Sequence, residues 1–209
     1  MMLTPFYLLA VYTLSGASPK RGTELAVAWL VFGGIMAVIC LFDLSSKLGA
    51  IGNLIVPTAW ILPSLCLYLF RKRFLDQPLS QKWLVGLQLF RAIGGIFLIE
   101  MGRGNIAAIF ALPAGIGDLI VAILTLAVLI AYSTKPKIAK GAIWLVLIVG
   151  IVDFVSAFFF GFTSSDSPVQ LFYPEGLHEI LWFPAGIIPL FLVPYAIFFH
   201  TLSALSPKV

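Results

Sequence analysis

Charge is what this 209-residue chain has least of: Asp, Glu, Lys and Arg make up 11% of it, against about 25% in an ordinary soluble domain. With 61% of residues hydrophobic and a mean hydropathy of +1.07, too little polar surface is present to enclose the apolar mass in water, which excludes a soluble fold. Cysteine and histidine are equally sparse, two of each. Cys40 and Cys66 each lie inside an apolar run without CxxC spacing, so they read as small buried hydrophobes and not as a disulfide or a metal pair. His178 and His200 flank one apolar run 22 positions apart, about 33 Å along a helix, which excludes a shared bis-histidine haem. Residues 180–203 contain no lysine, so the last run has no residue for a retinal Schiff base. No P-loop, GxSxG, potassium-filter or HExxH sequence occurs, and the chemistries tied to them are set aside.

What the chain does have is long apolar runs, at residues 24–43, 49–70, 84–101, 117–133, 141–162 and 180–203. Each suffices to cross a hydrocarbon core of about 30 Å at 1.5 Å per residue. Residues 3–17 form a marginal further run, expected to be a short or tilted seventh span. No positive charge precedes it, so a cleaved signal is not expected. In lipid every backbone polar group must be paired internally, and runs such as Leu119–Leu124 lack the alternation of barrel strands. The expected fold is therefore all-α: one integral-membrane domain over residues 1–209, a bundle of six or seven transmembrane helices.

The few basic residues set its orientation. Lys20, Arg21, Arg71, Lys72, Arg73, Lys82, Lys135, Lys137, Lys140 and Lys208 fall on one side, and only Lys47 and Arg103 on the other. The positive-inside bias places the first side, with the C-terminus, in the cytoplasm, and the expected location is a bacterial inner membrane. Seven spans would put the N-terminus outside. The net charge of +4 arises from short clusters beside apolar runs, which fits anionic lipid headgroups and not nucleic acid. A second copy of the chain or another membrane subunit is an open partner, and no cofactor or metal is specified.

Ionisable residues at membrane depth are costly and usually face a partner or a cavity. Arg91 is the thirteenth basic residue and the one that lies inside a span; at α-helical spacing Gln88, Arg91 and Gly95 share a face. Asp153 lies at a depth that an arginine can reach, and an Arg91–Asp153 ion pair is expected, either as a lock between helices or as part of a pore or binding cavity. Asp118 follows Leu112-Pro113-Ala114-Gly115-Ile116-Gly117. There residues 106–112 form an interfacial helix, or the span is broken with Asp118 inside the membrane. A second, outer-face group comprises Glu100, Asp118, Glu175, His178 and Glu179, with Asp166 nearby; it suits a divalent cation or proton relay, or is simply a solvated acidic loop. Pro184, Pro189 and Pro194 in the last run leave the carbonyls of Ile180, Ala185 and Leu190 without their helical donors. Three functions fit this pattern: a small transporter or channel for an anion, proton or small polar solute past Gln88, Arg91, Asp118 and Asp153; a membrane-embedded enzyme or redox subunit using the outer group; or a structural accessory subunit.

Overall fold

The structure, a computed structural model, describes residues 4–164, 169–173 and 186–206. The fold is an all-α membrane bundle: six helices are long and apolar enough to span a bilayer, and no strand occurs among the described residues. Two compact units make up the chain, one from Met1–Leu84 with Phe183–Val209 and one from Val85–Trp182.

The first unit begins with α1 (Thr4–Leu14), which at 11 residues covers about 16 Å and is too short for the expected seventh span. It is instead packed away: Leu8, Val11 and Tyr12 are fully buried, and the Tyr12 hydroxyl donates to the Phe74 carbonyl at 2.9 Å. The next helix, α2 (Pro19–Leu41), starts five residues before the apolar run because Pro19 supplies the first helical φ and Ser18 is extended. Asp43, in the left-handed region at φ 48°, turns the chain into α3 (Leu44–Lys47). A 3-10 turn (Gly49–Leu54) then leads into α4 (Ile55–Leu69). After α5 (Arg71–Phe74), ion pairs Arg21–Asp76 (2.5 Å) and Arg73–Glu24 (2.9 Å) bring the first two basic clusters to one end of the unit.

The last span closes this unit through a π-helical turn (Ile188–Leu192) followed by α10 (Val193–Leu205). Trp29 of α2 sits edge-on among Phe191, Tyr195 and Phe198, with centroids 4.9–5.7 Å apart. The π turn changes which carbonyl the prolines orphan. In an i to i+5 register the Pro189 carbonyl faces residue 194, a proline without an N–H, and the Trp60 indole supplies the missing donor at 2.8 Å. The α-helical expectation had named Leu190 in its place; Pro184, with Ile180 and Ala185, lies outside the described residues. At the C-terminal end, buried Gln81 donates to the Ser203 and Ser206 carbonyls at 3.1 and 3.2 Å and accepts from the Ser203 hydroxyl at 2.6 Å. Replacing Gln81 by leucine strands these groups, and thermal unfolding in detergent should show a loss of about 1–3 kcal/mol.

Among its described residues the second unit holds three long helical segments. The span Gln81–Gly102 enters it from Val85 and is composite: α6 (Gln81–Gly86), a nine-residue 3-10 stretch (Leu87–Gly95) and α7 (Ile96–Gly102). The others are α8 (Ala108–Thr134, 27 residues) and α9 (Pro136–Ser164, 29 residues). α8 is continuous, which corrects the expected interfacial helix or break before Asp118. Pro113 is only its sixth residue, so one early hydrogen bond is lost and the helix continues. Pro136 restarts the chain as the first residue of α9, making the expected loop 134–140 helical apart from Lys135. Along α8, Ile116, Ile120, Ile123 and Ile130 are exposed, as a lipid-facing stripe should be, while Val121, Val128, Ile143, Val146 and Leu147 form a buried core between α8 and α9.

Candidate functional site

The polar centre of the second unit is built from one residue on each of its three helical segments. Arg91, in the 3-10 stretch, is 2% exposed; its Nε donates to Asp118 Oδ1 on α8 at 2.6 Å, and its Nη2 donates to Asp153 Oδ2 on α9. Its guanidinium carbon lies 4.0 Å from the Phe154 ring centroid, adding a cation–π contact. The Arg91–Asp153 pair was legible from charge and depth. Asp118 was expected on the same path but not as a second partner of Arg91, because its expected place was an interrupted outer segment.

The 3-10 stretch decides what Arg91 shares its face with. With three residues per turn, positions i, i+3 and i+6 line up, and it is Gln88, Arg91 and Gly94 that are buried. Gly95, expected on this face from α-helical spacing, is displaced from it by the tighter winding. A run of nine residues is long for 3-10 geometry, which is uncommon beyond about three or four residues.

Two glycines seat the carboxylates. A Cβ on Gly94 would lie 2.5 Å from Asp118 Cγ and 2.6 Å from its Cβ, and a Cβ on Gly117 would lie 2.5 Å from Asp153 Cγ. Each aspartate thus stands on a glycine of the neighbouring segment. Asp118 keeps a side-chain exposure of 15%, against 6% for Asp153. Arg91 Nη1, Asp153 Oδ1 and the fully buried Thr125 Oγ1 have no hydrogen-bond partner among the described residues.

The outer-face group does not assemble within the described structure. Glu100 accepts from Arg103 at 2.7 Å and from Asn105 at 2.6 Å. Asp118 faces Arg91 and not Glu100. Asp166, Glu175, His178 and Glu179 lie outside the described residues, and among those described no group of three His, Cys, Asp or Glu side chains is placed to hold a metal ion.

Residues 41–205 fit the model of a family described as a domain of unknown function, DUF8737. The chain belongs to that family. No curated protein and no solved structure matches it. The matched region contains the composite span, α8 and α9, and so the whole Arg91–Asp118–Asp153 triad.

Proposed function

We propose that the protein is a small multi-pass carrier or channel that moves a proton or a small polar solute past Gln88, Arg91, Asp118 and Asp153, with its basic helix ends on the cytoplasmic side of a bacterial inner membrane. The observation that carries this reading is the imbalance of the triad: one buried arginine faces two carboxylates. A lock between helices needs only a balanced pair, whereas an excess charge at membrane depth costs several kcal/mol and is characteristic of ion and proton paths. An anion is the less favoured cargo, since the arginine that would bind it is already engaged by both carboxyl groups.

The test is flux into vesicles reconstituted with the purified full chain, read with an internal pH dye under an imposed pH gradient and, separately, by uptake of labelled polar solutes. Wild-type protein should conduct above the level of empty vesicles, and Asp153→Asn and Asp118→Asn should each bring flux down to that level. The competing reading is a structural clasp, favoured by the fact that the triad ties all three segments of the unit together. If a folded variant with Arg91, Asp118 and Asp153 all replaced by leucine keeps wild-type flux, the clasp is the better account and the path is elsewhere.

A further inference from the structure

We infer that the Arg91–Asp118–Asp153 triad binds one exchangeable proton, held as a neutral carboxylic acid on Asp153. This takes the site named in the transport reading and specifies its ligand.

Charge balance is the first reason. Among the described residues, the charged groups at Asp153 are Arg91, which donates to it, and Asp118, which shares that arginine. Glu100 is occupied by Arg103, and Lys135, Lys137 and Lys140 are exposed around the α8–α9 turn, well over ten residues along the helices from the triad. With both aspartates ionised the site carries one net negative charge inside the hydrocarbon region, and one proton cancels it. A metal cation does not fit this place. The guanidinium already occupies the space between the carboxylates through Nε and Nη2, and hard cations need about six oxygen ligands, which the triad does not offer.

The geometry also selects the oxygen. Asp118 accepts from Nε at 2.6 Å and is the more exposed carboxyl, so it is the natural counter-charge of Arg91. Asp153 uses Oδ2 for Arg91, while Oδ1 is buried against Gly117 with no partner among the described residues. A carboxylate with one bare oxygen in apolar surroundings is costlier to bury than the neutral acid. The proton is taken up from hydronium in the aqueous phase, which is left as water; it adds to the Asp153 carboxylate and leaves an Arg91–Asp118 ion pair with no net charge.

Infrared spectroscopy of the full chain in lipid vesicles tests this without any flux measurement. At neutral pH, wild-type protein should show the carbonyl stretch of one protonated carboxyl, shifting on exchange into D2O. Charge balance then dictates the variants: Asp153→Asn and Asp118→Asn each leave one arginine with one carboxylate and should lose the band, whereas Arg91→Gln leaves two uncompensated carboxyls and should double it. Absence of the band in wild-type protein overturns the inference, and that measurement does not depend on any variant folding. A band that survives in both asparagine variants belongs to another carboxyl and also overturns it. The band without flux upholds the proton site and removes the transport reading; flux without the band does the reverse.

Discussion

Arg91→Leu should destabilise the protein by about 3–5 kcal/mol, the usual cost of removing one partner from a buried ion pair. The side chain is 2% exposed and bridges α8 and α9 from the composite span. Its loss leaves the carboxyl groups of Asp118 and Asp153 facing each other across apolar surroundings with neither counter-charge nor donor. Arg91→Lys should recover little, because a single ammonium cannot present two divergent donors as the planar guanidinium fork does. Thermal or denaturant unfolding in detergent measures the effect. Changing all three charged residues to leucine should restore most of the lost stability, since well-packed apolar side chains can replace a buried ionic group at little or no cost. A loss below about 1 kcal/mol for Arg91→Leu, the value of a surface pair, would mean that the triad is solvated and would undercut the buried-site description.

The glycine seats should invert a familiar trend. Within a helix, glycine to alanine ordinarily stabilises by about 1 kcal/mol. At Gly117 the added methyl would lie 2.5 Å from Asp153 Cγ, and at Gly94 the same distance from Asp118 Cγ. Both are short side chains already held by Arg91, so they cannot swing aside without giving up that contact. Gly117→Ala and Gly94→Ala should therefore each cost about 1–3 kcal/mol, the range for overpacking. Gly34, whose Cβ would meet nothing within 4 Å, is the control and should tolerate alanine. If all three substitutions behave alike, the close approach of the helices at Asp118 and Asp153 is wrong.

Much of the site was readable one residue at a time, and its assembly was lost through helix limits. Gly117 and Asp153 lie eighteen positions on either side of Lys135, so an antiparallel pair that turns at that lysine places them at one level. Ending the apolar runs at residues 133 and 141 hid this symmetry, because the polar lysines of the first α9 turn resemble a loop. Pro136 was the available signal, since a proline suits the first helical position. The same reasoning applies at Pro19, where α2 begins earlier than its apolar run.

The amino-acid sequence by itself determined that the chain is a helical membrane protein. Its apolar mass cannot be covered by its own polar surface, and only internally hydrogen-bonded helices make such long apolar runs stable in lipid. It also singled out Arg91 and Asp153, because ionised groups are rare and costly at membrane depth. Tertiary structure decided the rest. The 3-10 winding that places Gly94 in line with Arg91, the π turn that passes the orphaned carbonyl to Pro189, and the meeting of Asp118 with Arg91 all depend on contacts from other segments of the same unit. A change of winding from α to 3-10 or π geometry is small for the backbone of one helix. Packing and ion pairing with its neighbours therefore select it, and local sequence pattern does not record that selection.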